Sequence, residues 1–199
     1  TLLSLLQTQV FNLREADPFN GSKWHNPYAA IMSSEVPWQK GNFHAHGKNF
    51  GGLSNGHGSD LEIVSTYLDS LGYDWAAVSN YQKVNKEIRH KGVIPAYEHG
   101  IGLGKQHQLV IGENNVSWFD FPFVQFLNQK QTTISRLQKP HNLVAIAHPK
   151  LRGAYSLDDM RYLSGYDCME VLNHIGRSRE HWDAALSAGL PIYLISSDD

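Results

Sequence analysis

The chain has 199 residues, of which 41% are hydrophobic and 18% charged, with a formal net charge of -2. That composition belongs to a globular domain long enough to bury a full core; it excludes a disordered chain and offers no basic stripe for nucleic acid or an acidic membrane surface. The one cysteine, Cys168, excludes an internal disulfide and a cysteine-rich zinc site, and no apolar run approaches the roughly 20 residues of a membrane-spanning helix.

Residues 1–40 read as an irregular N-terminal extension packed on the body. Leu2, Leu3, Leu6, Val10 and Leu13 recur at helical spacing, so a helix is expected over 1–13. Asp17-Pro18-Phe19-Asn20-Gly21 is a turn, and Trp24, Tyr28 and Trp38 point to an aromatic wrap. The first residue is Thr1, so a cytoplasmic chain and an exported one with its signal removed read alike.

From residue 41 the pattern becomes regular. Residues 42–46 read as a strand, and residues 47–58, with five glycines, as a loop. Ser59 or Asp60 caps a helix whose apolar face is Leu61, Val64, Leu68 and Leu71, stopped by Gly72. Residues 75–78 are a buried strand and 81–90 a polar helix or turn. Residues 93–98 and 108–112 are strands joined through the glycines of 100–104. A helix is expected within 121–139, with Phe123, Phe126, Leu127, Ile134 and Leu137 inward and Pro140 as its stop. Residues 143–147 are a strand ending at His148-Pro149. Ser156 caps a short helix, 169–172 is a strand, 178–188 a helix closed by Gly189, and 192–195 the last strand. Cys168 lies in a buried strand and reads as inert. The chain stops at Asp199 directly after an apolar run, so the natural protein is expected to continue. Alternating strands and helices imply an α/β fold with a largely parallel sheet, and the strand number suits a barrel of seven or eight strands.

Polar residues collect where these strands end. His44 and His46, two residues apart on an extended segment, project to one side. Asn80, Glu98, His148, Asn173 and Asp198-Asp199 follow at later strand ends, and His107 reaches in from the start of its run. In a parallel barrel that end carries the chemistry. Imidazole and carboxylate without thiolate suit zinc, manganese or iron, and a glutamate can bridge two ions that together activate a water. His99 alternates away from Glu98, and His25, His90, His141 and His181 read as surface residues.

The order His44-x-His46, Ser54-Asn55-Gly56, Glu98, His107, Ala147-His148-Pro149 and a terminal Asp resembles the PHP family, named for polymerase and histidinol phosphatase. The resemblance covers residues 41–199. It implies a distorted (β/α)7, TIM-like barrel and a metal-dependent phosphoesterase. It also implies His44 and His46 on one metal, Glu98 bridging, and His107 and His148 on a second. Asp199, or else Asp198, would complete the first site. Glu98 and His148 would be the catalytic residues. Two departures stand out: Asn55 replaces the acidic residue of a Ser-Asp-Gly loop, and Ser79-Asn80-Tyr81 replaces Thr-Asp-His. Both changes fall on the family's third metal site, so two divalent ions are expected. His57 is a weaker substitute in the same loop. Asn55, Asn80, Tyr81, Lys150, Arg152 and Asn173 are the candidate substrate contacts, and Lys150 and Arg152 suit an anionic small molecule. Phosphoester hydrolysis leads. Hydrolysis of an amide or carbamate, or a metal-binding module without turnover, are the alternatives. Oligomeric state is not legible.

Overall fold

The structure, a computed structural model, describes residues 2–13, 17–18, 37–50, 56–123 and 125–199. Within them the apolar runs form eight strands: β1 (Gly41–Asn42), β2 (Trp75–Ala76), β3 (Ala96–His99), β4 (Gln108–Ile111), β5 (Leu143–Ile146), β6 (Cys168–Asn173), β7 (Gly176–Arg177) and β8 (Tyr193–Ser196). Five α-helices accompany them: α1 (Leu2–Leu6), α2 (Asp60–Ser65), α3 (Leu127–Leu137), α4 (Asp159–Tyr162) and α5 (Arg179–Ser187). A π-helical turn, Thr66–Ser70, extends α2. No helix among the described residues is long and apolar enough to cross a membrane.

The expected (β/α)7 barrel does not form. β1 and β2 make a two-stranded parallel sheet, and β3 to β8 make a mixed six-stranded sheet. β4 runs antiparallel to both β3 and β5, whereas β5, β6 and β8 are mutually parallel in sequence of pairing. For β3 and β4 the reason lies in the length of the connection. Parallel neighbours need a crossover of about a dozen residues or more, and residues 100–107 are too few to carry one, so the chain turns straight back. The β4–β5 step is antiparallel although its connection carries α3, and the parallel steps β5–β6 and β6–β8 pass through α4 and α5. Isolated parallel bridges, Ala76 with Val93 and Tyr81 with Glu98, tie the small sheet to β3. At the far side Asp199 N donates to His44 O at 3.0 Å, but no ladder pairs β8 with β1 among the described residues.

Strand alternation divides the six-stranded sheet into two unlike faces. Tyr97, Val110, Val144, Ile146, Met169 and Val171 pack with Ile134 and Leu137 of α3, Met160 of α4 and Ala185 of α5 in the main core. Ala96, Leu109, Ala145, Ala147 and Cys168 face the other way with Ala77. Those mostly small side chains leave room, and Glu98 and Glu170 stand in register with them, on the same face as Ala96 and Cys168. Burial pushes the Cys168 thiol up to about 12, which fits an inert thiol.

Several local expectations are corrected. α1 stops at Leu6 because the chain then docks on α3 in extended form: Gln9 N donates to Thr132 Oγ1 at 3.1 Å and Phe11 N to Asn128 Oδ1 at 3.0 Å. Trp24 and Tyr28 lie outside the described residues, and Trp38 is exposed. Over 81–90 the chain takes the turn of the two alternatives, at Gln82, and no helix forms. Ser59 does cap α2, in a reciprocal pair with Glu62, but Leu61 and Leu71 face solvent, leaving Val64 and Tyr67 as the buried side. α3 begins only at Leu127, so Phe123 and Phe126 precede its first turn and the helical period does not reach them; both are exposed.

This last contrast is testable. Ile134 is 0% exposed and Phe126 74%. Ile134→Ala should lower the free energy of unfolding by about 2–5 kcal/mol. Phe126→Ala should stay within about 0.5 kcal/mol of the parent. Urea unfolding of both variants checks this; equal losses would place Phe126 in the core after all.

Candidate metal centre

The centre assembles where β1, β3, β5 and β8 end and β4 begins. Residues 43–46 continue β1 as an extended segment held by residues 77–79, through Ala77 N to Asn42 O at 2.8 Å and Ser79 N to Ala45 O at 2.9 Å. His44 and His46 therefore point the same way, with their Nε2 atoms 3.2 Å apart. Glu98 is the last residue but one of β3 and is wholly buried. His107 joins from the start of its strand because β4 is reversed, which puts that start beside the ends of β3 and β5. His148 follows β5. Alternation alone would put it on the helix face with Val144 and Ile146, but its φ of 25° turns the chain and sends the ring to the other side. A left-handed backbone at a non-glycine residue costs about 1–3 kcal/mol and persists only where its surroundings hold it.

Glu98 lies at the middle. Its Oε2 is 3.0 Å from His46 Nε2 and 3.5 Å from His44 Nε2, while its Oε1 is 2.5 Å from His107 Nδ1 and 3.0 Å from His148 Nε2. Each carboxylate oxygen thus serves one pair of imidazoles. Asp199 Oδ1 lies 3.3 Å from both His44 Nε2 and His46 Nε2, and its Oδ2 is 3.9 Å from His148 Nε2. One ligand atom from each of His44, Glu98, His148 and Asp199 falls within 4.8 Å of all the others, so this buried group can hold a metal ion. Two details fit a cation. Glu98 Oε2 and Asp199 Oδ1 are buried and accept no well-directed hydrogen bond, although imidazole nitrogens stand close by. Such oxygens are costly to bury unless something positive satisfies them.

The electrostatics agree. Burial works against the Glu98 charge, but the His107 and His44 imidazoles outweigh it and hold the carboxyl well below its usual range. Burial likewise disfavours charge on His44, yet the Glu170 and Glu98 carboxylates raise it well above the ordinary 6.5. His46 is raised against the same burial by Asp199 and Glu98, whereas burial wins at His107 and lowers it.

The remaining candidates divide. Asp198 turns away: its Oδ2 accepts from Asn42 Nδ2 at 2.9 Å and from the Tyr67 hydroxyl, so of the two aspartates Asp199 joins the centre and Asp198 supports the fold behind it. Asn80, expected to meet substrate, spends its amide internally, accepting from Gly47 N at 3.0 Å and donating to Asp60 Oδ1 at 2.9 Å. Tyr81 stacks on His46, ring centroids 4.6 Å apart, and meets His107 edge-on. Asn173 Nδ2 donates to Glu170 Oε2 at 3.0 Å and is 3.5 Å from Asp199 Oδ2. Lys150 and Arg152 are exposed just past His148, and His57 is exposed. Asn55 and His25 lie outside the described residues. His99 faces away and bonds Gln108 Oε1 and Phe119 O, each at 2.8 Å. His90 and His141 are exposed, but His181, expected at the surface, is buried against Tyr155 O at 2.9 Å because α5 packs that face on the core.

One residue at the centre escapes the sequence argument. Glu170, on β6, is 1% exposed and lies 2.9 Å from His44 Nδ1. Its only signal was a charge inside the apolar run of residues 168–172.

No protein-family model matches the chain, and no curated protein matches it. Among solved structures, PsfC from Pseudomonas syringae PB-5123 is similar, with a TM-score of 0.51 over 81% of this chain and 76% of that one, at 14% identity. The likeness is one of fold; it does not indicate a PHP domain.

Two outcomes follow for metal uptake. Asp199→Asn should lower zinc affinity, whereas Asp198→Asn should leave zinc uptake intact and cost about 1–3 kcal/mol of stability through the groups it leaves unpaired. Chelator competition and thermal melts separate the two; the reverse pattern would exchange their roles. Zinc requires neutral imidazoles, and His44 and His46 hold their protons above the ordinary value. Uptake should therefore release protons and weaken as the pH falls. Affinity that does not change with pH would contradict the assignment.

Proposed function

We propose that this chain is a metal-dependent hydrolase, a phosphoesterase acting through a di-metal site on a small anionic substrate. The observation that carries the reading is the placement of Glu98, with one oxygen toward His44 and His46 and the other toward His107 and His148. A carboxylate between two imidazole pairs would suit two neighbouring divalent ions. The resemblance of the His44-x-His46, Glu98, His107 and Ala147-His148-Pro149 series to the PHP family points the same way, without the family's barrel.

His44, His46 and Asp199 would hold one ion and His107 and His148 the other, with zinc, manganese or iron suited to nitrogen and oxygen donors. Ions so held supply Lewis acidity, lowering the pKa of a water and neutralising charge that develops on phosphoryl oxygens. The chain's own residues do the positioning. Glu98 fixes the spacing of the two imidazole pairs. His148, turned inward by its backbone, presents Nε2 to Glu98 and closes the second site. The Tyr81 ring covers His46 and His107 and excludes bulk water from that side. Lys150 and Arg152, exposed beyond His148, draw an anion toward the centre. Asn80 has both ends of its amide engaged, so a third ion finds no ligand there.

That engagement also favours a second reading. Hydrolysis of an amide or carbamate needs fewer metals than a three-ion phosphatase site, and the same Glu98 arrangement would serve it.

Zinc- or manganese-loaded protein should hydrolyse an aryl phosphate. Glu98→Gln keeps the shape and removes the charge, so circular dichroism should be unchanged while kcat falls about 100-fold or more. A variant that turns over like the parent would remove Glu98 from the reaction. Loaded protein that is inert on aryl phosphates but cleaves an aryl amide or carbamate would favour the second reading.

A further inference from the structure

Glu170 is a buried carboxylate to which the proposed reaction assigns no role. Donors converge on both of its oxygens. Oε1 lies 2.9 Å from His44 Nδ1 and accepts from the Ser197 hydroxyl. Oε2 accepts from the His148 backbone N–H at 2.8 Å and from Asn173 Nδ2 at 3.0 Å. A buried anion is tolerated where donors satisfy it, and these contacts do so.

The identity of those donors gives the carboxylate a role. A neutral imidazole carries its proton on one nitrogen only, and the partner of that nitrogen decides which. A carboxylate against Nδ1 keeps the proton there and leaves the lone pair of His44 on Nε2, the atom that faces Glu98 and Asp199. The second contact is to the amide of the one centre residue between β5 and β6 with a left-handed backbone, His148. Ser197 precedes Asp199 by two residues, so the same carboxylate also steadies the segment that carries a third member of the group.

We infer that Glu170 is a positioning residue for the metal centre, setting the His44 tautomer that frees Nε2 to ligate and pinning the backbone turn that directs His148 inward. This rests on the metal-dependent reading, and the test separates the two. The probe is zinc alone, with affinity measured by chelator competition and ring protonation by NMR of protein carrying 15N-histidine. In the zinc-loaded parent, His44 should show its proton on Nδ1. Glu170→Gln has one acceptor oxygen, and its amino group meets donors on the other side. It should remain folded, lose about 10- to 100-fold in zinc affinity, and shift either the His44 Nδ1 proton or the His148 amide resonance. Affinity unchanged within about twofold would overturn the inference and leave the metal reading standing. Lower affinity with both resonances in place would also overturn it, because the loss would then be general. If the variant does not fold, the parent decides: a His44 proton on Nδ1 supports the inference, and one on Nε2 overturns it. A parent that binds no zinc sinks the metal reading and this inference together.

Discussion

The constraint on which the site depends is the burial of negative charge. Glu98, Glu170 and the Asp199 side chain are at most 1% exposed, and they lie within one group of histidines. Taking a carboxylate out of water costs several kcal/mol even after the surroundings relax, and neutral imidazoles return only part of that through hydrogen bonds. Something positive must complete the balance. Without metal the protons on His44 and His46 do so, which is why those rings are raised despite burial. A divalent ion could do the same. Proton and metal would then compete for one set of atoms.

The sheet delivers these groups by ordinary geometry with two exceptions. Alternation in β3 and β6 sets Glu98 and Glu170 on the face of Ala96 and Cys168, where small side chains leave space. The first exception is β4, whose reversal brings His107 to the same end as Glu98. The second is His148, where a left-handed residue replaces the expected alternation. Both departures bring a histidine to the candidate centre.

Much of this was legible in the sequence. The apolar runs at 96–99, 108–111, 143–146 and 193–196 lie within or close to the expected strands, and His44, His46, Glu98, His107, His148 and Asp199 do come together. The sheet order was not legible, because an apolar run carries no direction: the short β3–β4 link forces a return, whereas β4–β5 is antiparallel across a long helical connection. Glycines over 100–104 announce a flexible link, but only its short length forces the antiparallel return. Asp198 and Asp199 cannot be told apart by type; the difference is that Tyr67 and Asn42 claim the first. Glu170 looked like part of a strand, since a second-layer carboxylate has no spacing rule of its own. Phe123 and Phe126 matched a helical stripe, but the helix had not yet begun.

The central claim is that one metal-binding centre forms around Glu98. Crystals grown with zinc and measured at the zinc absorption edge test it most directly through an anomalous difference map. The account predicts density beside Glu98, with His44 or His148 nitrogens and carboxylate oxygens about 2.0–2.2 Å from the ion. Anomalous density only at surface histidines such as His90 or His141, with none beside Glu98, would contradict it.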